Sequence, residues 1–421
     1  MIASTATLIA ALLQLASAAP EYHYSNSTGA LPAKTYAECQ RRTSNPLKGC
    51  PEGTIYVSQI SSNSSCGPHV DFTSIQAAIA SLPDDESEQI ILIAPGNYTE
   101  QLNITRPGPL TLLGVSDDPY RGVSYGDVSS DTEHKNGVQV LWASANSDNT
   151  GKGVDNAITT VLTVAPTWNA SLTGSGPTGF AVPADTPFGN SDFRAYNIDF
   201  RNIFSEYAAG PALAVNVAYA NAGFYGCGFY SYQDTVYIGK LGNAYFYDNV
   251  IAGQTDFLYG FGTAWIEKST LALRNCGGGI TAWKGTNTTF TNKYGVYIHD
   301  SSVIAANSTI AADIVGKCPL GRPWNNLHRS IFAGTYLDSS ILPAGYIIWT
   351  TTDTRFANVT FEAVYNNNGP GDNVTAQVAS NVTLVLDSDE YEPYSSPARV
   401  FITPEGDADD TAWIDSNVYS G

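Results

Sequence analysis

The sequence predicts an all-β fold, a parallel β-helix with a short helix near its N-terminus. Three observations carry that prediction. From about residue 89 to about residue 350, short β-prone runs alternate with Gly, Asn and Ser, and no long helical period interrupts them. The strand-and-turn units recur roughly every 20–25 residues, as in a solenoid. Two acidic cassettes, YQDT and TDFLYG, set Asp234 and Asp256 22 residues apart among aromatics, glycines and amides. If one coil is about 22 residues long, the two carboxylates take equivalent places on adjacent coils, ~4.8 Å apart along the stack. The run pattern alone also admits a β-sandwich or barrel.

Residues 1–18 read as a secretory signal peptide. An apolar stretch from Leu8 to Leu15 leads into Ala16, Ser17 and Ala18. The stretch is too short to cross a membrane; a buried N-terminal helix is the alternative. Residues 19–53 read as an extended polar arm with two cysteines, and 54–421 as the solenoid domain. DFTSIQAAIASLP (71–83) is the predicted helix: Ile75, Ile79 and Leu82 share a face, Asp71 can cap its start and Pro83 marks its end. QIILIAPG and LTLLGV follow as β runs, then AYFYDNVI, AWIEKSTLAL, YGVYIHDSSVI and SIFAGTYL. Asn and Gly suit the bends between them. Arg322 lies three of the Asp234–Asp256 intervals beyond Asp256, which places it on the same face three coils on.

Hydrophobic residues make up 43% of the chain and charged ones 14%, which supports a packed core over disorder. A net charge of −19 argues against a nucleic-acid partner, which needs a basic face. Ten Asn-x-Ser/Thr sequons, at Asn26, Asn63, Asn97, Asn103, Asn169, Asn287, Asn307, Asn358, Asn373 and Asn381, exceed chance. With six cysteines (Cys39, Cys50, Cys66, Cys227, Cys276 and Cys318) they point to secretion into an oxidising compartment. The cysteine spacings do not resemble a zinc site, and their pairing is open. Cys227 and Cys276 sit in apolar runs, where a free buried thiol is the alternative. Nothing specifies an interface or a membrane contact, so a monomer is expected.

Two carboxylates held close cannot both ionise cheaply. Repulsion raises one pKa and a neighbouring guanidinium lowers the other. Asp234 and Asp256 would titrate as a unit, one an acid and one a base or nucleophile, with Arg322 of LGRPW (320–324) supplying the guanidinium. Gln233 and Gln254 are candidate donors to a developing oxyanion. Tyr232, Tyr237, Phe257 and Trp324 offer ring faces to sugars. Each has a plainer reading. An Asp in a Gly/Asn-rich turn is commonly a solvated turn residue, an Arg beside Pro and Trp a stacked structural one, and the aromatics of 228–261 core. Carboxylate pairs also serve glycosidases and calcium-dependent lyases, but no cluster of acidic ligands supports either metal chemistry or chain scission.

Several motifs, in order, resemble the pectin methylesterase (pectinesterase) family. DFTSIQAAIASLP resembles its "FxTIQxAVxAxP" helix, PGNYTEQL (95–102) its "GxYxE" motif, and GFYGCGFYSYQDTVY its "AFYxCxFxGYQDTLY". GQTDFLYG resembles "GTVDFIFG", GGITAWKGT (278–286) resembles "ITAxxR" with Lys284 offset from the basic position, LGRPW matches outright, and YNNNGPG (365–371) resembles "YxNxGPG". The likeness runs from about residue 54 to about residue 415. It implies a right-handed parallel β-helix that removes methyl esters from the galacturonate residues of pectin, without metal or organic cofactor. It also implies roles: Asp256 as nucleophile, Asp234 as general acid and then base, Gln233 in the oxyanion hole, Arg322 orienting the nucleophile, and Trp324 in the substrate cleft. The partner so implied is methylated homogalacturonan, and the setting is extracellular.

One departure stands out. The family's "QAVAL" motif brings a second oxyanion-hole glutamine, and here that place falls on Pro211 in GPALAVNV (210–217). Proline donates no hydrogen bond, and loss of one such donor typically costs on the order of 100-fold in rate. The second hypothesis is therefore a weak or inactive pectin-binding relative.

Overall fold

The computed structural model describes residues 33–60, 69–120, 135–149, 155–174, 182–285, 293–403 and 408–417. The expected signal peptide, Cys66 and the sequons at Asn26, Asn63 and Asn287 lie outside them. The strands form three sheets of eleven, eight and six strands. Around the site they pair in parallel, each coil adding one strand to each sheet. This is a parallel β-helix; the sandwich or barrel alternative is set aside.

The six-stranded sheet carries the site. Its strands are β1 (Leu102–Ile104), β2 (Leu162–Val164), β3 (Val215–Val217), β4 (Val236–Ile238), β5 (Leu258–Gly260) and β6 (Thr281–Trp283), stacked in that order. On the coil of β4 and that of β5, Asn221 pairs with Asn243, Gly228 with Val250 and Val236 with Leu258. All three steps equal the interval between Asp234 and Asp256, the expected coil length. Arg322 is two coils beyond Asp256, not three. Leu258 pairs with Thr281 and Thr281 with Gly321, and the second of these steps is far longer than one plain coil. It contains an outward excursion with the helix Ser308–Asp313, so the whole-number multiple in the sequence is a coincidence.

Corners of the coil recur as columns of left-handed residues. Asn197, Gly226, Asp248, Lys268, Asp300 and Gly334 have φ between 44 and 60°. Asn, Asp and Gly enter this region most cheaply. Inside the same corner, side chains satisfy the turning backbone. The Cys227 N–H donates to Asn249 at 2.7 Å, Asn249 N–H to Ser269 at 3.0 Å and Ser269 N–H to Ser301 at 3.1 Å. Apolar residues stack like on like in the interior: Phe224 on Phe246 with ring centroids 4.9 Å apart, Phe200 on Phe229 at 5.6 Å.

The predicted helix forms over Ile75–Ala80, and its N-cap is Ser74 rather than Asp71. Asp71 instead accepts the Tyr56 N–H at 2.8 Å. Glu100 accepts the Ile75 and Gln76 N–H groups at 3.1 and 2.8 Å, which places its charge at the helix start. The described part of the arm is not extended. It holds the helix Ala33–Gln40 and the disulfide Cys39–Cys50. Tyr36 and Cys39 are buried in one apolar cluster with Phe401 and Trp413. A second disulfide joins Cys276 to Cys318, and Cys227 is free and buried. Among the described residues no helix is long and apolar enough to cross a membrane.

Candidate active site

Asp234 and Asp256 stand on a second left-handed column, with φ of 61° and 46°, followed by Gly278 at 71°. The corner lies just before β4, β5 and β6 in turn. Coil-to-coil hydrogen bonds fix it: Asp234 N–H donates to Thr255 O at 3.1 Å and Asp256 N–H to Gly279 O at 2.7 Å. The same turn recurs at Asp248 and Asp300 on the first column, so the left-handed backbone here is a coil corner and does not by itself mark a site. Both side chains are buried, each residue only 7% exposed.

The two carboxyls differ in their partners. Arg322 holds Asp256 in a fork, Nε to Oδ1 at 3.0 Å and Nη2 to Oδ2 at 2.7 Å. Gly279 N–H adds a third donor at 3.0 Å. Gly278 is required beside this fork: a Cβ there would meet Asp256 Oδ1 at 2.5 Å and Arg322 Nη2 at 2.7 Å. Among the described residues no guanidinium is bound to Asp234; its Oδ2 accepts a long bond from Asn156 Nδ2 at 3.4 Å. Burial pushes both carboxyls up. It pushes Asp234 well up, with Asp256 repulsion adding to it and Arg322 and Gln233 opposing. At Asp256 the fork works directly against burial. The fork therefore favours the ionised form at Asp256 more than at Asp234.

Arg322 is itself braced. Its guanidinium carbon lies 3.9 Å from the Trp349 ring centroid, and that of Arg355 lies 4.1 Å from the same ring. Arg355 also donates to Trp324 O at 3.2 Å. The Cys276–Cys318 disulfide ties the coil bearing Gly278 to the segment entering LGRPW.

Gln233 is half-buried and bridges Thr255 on the next coil. Gln254 is half-buried one residue before that bridge. Trp324 is 8% exposed and packs on Tyr259, centroids 5.4 Å apart, which in turn meets Tyr237 at 4.8 Å. The buried Lys284 amine lies 3.6 Å from the Trp324 centroid, and burial pulls its pKa down to about 8 against the pull of Asp155. Two expected sugar contacts are corrected. Phe257 is fully buried in the interior core, because the left-handed turn at Asp256 sends the next side chain inward. Tyr237 points outward but is fully buried, its hydroxyl 3.5 Å from Leu172 O and Thr173 O under a covering loop. Tyr207 is an exposed ring, and it lines a small cavity with Tyr232 and Gln233. Among the described residues no group of three or more His, Cys, Asp or Glu could hold a metal ion.

Local sequence does not single out Asn156, Tyr207, Tyr259, Trp349 or Arg355. Tyr259 belongs to the TDFLYG cassette, and its alternation with Leu258 on β5 was the available signal. The others reach the site from excursions with no coil period.

Comparison with known proteins agrees with this architecture. The Pectinesterase family model matches residues 150–403. A probable pectinesterase A of Neosartorya fischeri is 30% identical over 302 residues, 71% of this chain and 76% of that one. The crystal structure of the pectin methylesterase from Aspergillus niger superposes with a TM-score of 0.60 at 25% identity, covering 80% of this chain and 92% of that one. A pectin methylesterase crystallised with a hexasaccharide shares the fold, with a TM-score of 0.59 at 24% identity over 83% of this chain and 98% of that one. The chain belongs to the pectinesterase family, a family of carboxylic ester hydrolases.

Proposed function

We propose that this chain is a secreted pectin methylesterase that works through an aspartate nucleophile and releases methanol. The observation that carries the reading is the asymmetry of the pair. Two carboxyls sit on equivalent corners of adjacent coils, and only Asp256 is held in the Arg322 fork. Ionised Asp256 attacks the ester carbonyl carbon of a methylgalacturonate, with Gln233 as donor to the oxyanion. Asp234 gives its proton to the departing methoxide, so methanol leaves and an acyl–Asp256 anhydride remains. Asp234, now a carboxylate, takes a proton from water as that water attacks the anhydride. The galacturonic acid leaves and gives its proton to solvent, and both aspartates return to their starting states. Trp324, Tyr207 and Tyr232 supply ring surface for neighbouring sugars.

The expected signal peptide and the sequons support extracellular action, with 54–421 as the catalytic domain. The net charge of −19 supports weak retention of demethylated product.

The test is methanol release from highly methylated pectin by wild type and Asp256→Ala, with polymer length followed in the same tube. Methanol from wild type alone at constant length supports the reading. A folded wild-type protein that binds pectin but releases no methanol would favour the pectin-binding alternative, with Pro211 as the lesion. Chain scission would overturn both.

A further inference from the structure

We propose that Asn156 is a positioning residue for Asp234, bringing a side-chain amide to its carboxyl from outside the coil. The inference rests on the reading of Asp234 as the acid and base. Asn156 opens a short turn, Asn156–Thr159, capped by Asp155. Asp155 accepts the Ala157, Thr173 and Gly174 N–H groups at 2.9, 2.8 and 2.8 Å. The Thr159 hydroxyl donates to Asn156 O at 2.8 Å and accepts the Leu213 N–H at 3.0 Å, which pins the turn to the strand entering β3. The loop also grips Pro211 itself: Asn146 N–H donates to Pro211 O at 2.8 Å. The side-chain amide of the same Asn146 donates to Asn156 Oδ1. With its oxygen so engaged, Asn156 presents its N–H donors toward Asp234 Oδ2, 3.4 Å away.

That distance is long for the resting site, where Asp234 carries a proton. A carboxylate attracts an amide donor more strongly than a carboxyl does, and such bonds tighten as charge develops. Asn156 thus acts when Asp234 has passed its proton to methoxide. Other groups also bear on that charge. Asp256 repels it, Arg322 and Gln233 stabilise it, and the Tyr259 hydroxyl lies close to both Asp234 and Asn156. Asn156 is the one that enters from the loop bound to Pro211.

The experiment measures methanol release at saturating and limiting pectin from about pH 4 to about pH 10. It uses wild type, Asn156→Ala, Asn146→Ala and Asp234→Asn, with folding checked by circular dichroism. Removing the amide makes Asp234 harder to ionise. Asn156→Ala should lower kcat roughly 10-fold, a typical loss for a bond to a charged group, leave KM within about twofold and move the alkaline limb to higher pH. Asn146→Ala, which frees the Asn156 amide without removing it, should do the same more weakly. A merely structural role would lower kcat without moving the limb, and that result overturns the proposal, as does a kcat within about threefold of wild type. If Asn156→Ala does not fold, an unmoved limb in Asn146→Ala overturns it instead. An active Asp234→Asn sinks the underlying acid/base reading. An inactive one beside an unmoved limb sinks only the role of Asn156.

Discussion

Arg322→Lys tests the division of labour between the two carboxyls. Asp256 receives three donors, two of them from one guanidinium at 3.0 and 2.7 Å. Lysine keeps the charge but is a point donor on a flexible stem. At least one charge-assisted bond is lost, worth about 1.5–3 kcal/mol. That corresponds to roughly 10- to 150-fold in kcat. The pH profile should change in a stated direction. Burial already raises the Asp256 pKa and the fork opposes it, so a weaker fork raises it further. The proposed mechanism needs Asp256 ionised, so the acid limb moves to higher pH. Asp234 must still be protonated, so the alkaline limb does not follow by the same amount and the active window narrows. Arg322→Ala should narrow it until little activity remains at any pH, because a buried carboxylate without a partner prefers its proton. The assay is methanol release against pH on folded protein. A rate within about threefold of wild type and an unmoved acid limb in Arg322→Lys would refute the reasoning.

Gly278→Ala should lower activity at least about 10-fold with a modest loss of stability, because its Cβ would meet both Asp256 and Arg322 and its φ is 71°; kcat and a thermal melt read both effects. Removing the Cys276–Cys318 bridge, with Ser at both positions, should destabilise the fold by about 2–4 kcal/mol and lower kcat through a loosened Arg322, measured by denaturant unfolding and methanol release. Glu362 is fully buried with both carboxylate oxygens lacking a hydrogen-bond partner among the described residues, and burial raises its pKa well above normal. Its stabilising protonation is complete below the unfolded carboxyl value of about 4.3 and is lost as pH rises toward the folded value. Glu362→Gln should therefore melt higher than wild type at neutral and alkaline pH, with the difference shrinking toward pH 4.

The sequence showed the coil best where the coil is undecorated. The stretch from Asn221 to Gly260 keeps one interval in all three sheets, and there Asp234 and Asp256 could be stacked by counting alone. Counting failed for Arg322 because the excursion before it breaks the interval, although the LGRPW motif still identified the residue. The aromatics failed for a different reason. A ring near a carboxylate in sequence does not reveal its direction after a left-handed corner, and Phe257 turns inward. Tyr237 points outward as strand alternation predicts, but the cover over it comes from Leu172 and Thr173, far earlier in the chain. Asn156, Trp349 and Arg355 follow the same rule: their placement is decided by loops folding back on the solenoid, and no local period encodes that.

The stacked corners also set which length changes in the gene this protein can survive. A residue deleted within the strands Asn243–Tyr247 or Val250–Thr255 would shift the side chains that follow it by one place against the coil below. Asp256 would leave its corner, and inward and outward faces of β5 would exchange. The excursion between Thr281 and Gly321 already departs widely from the coil interval, and Arg322 still arrives at Asp256. Insertions at its helix Ser308–Asp313, which follows the coil strands Gly295–His299 and Ser302–Ala305, change a surface excursion, whereas a codon lost from a strand between the two acids breaks the stacking of the pair.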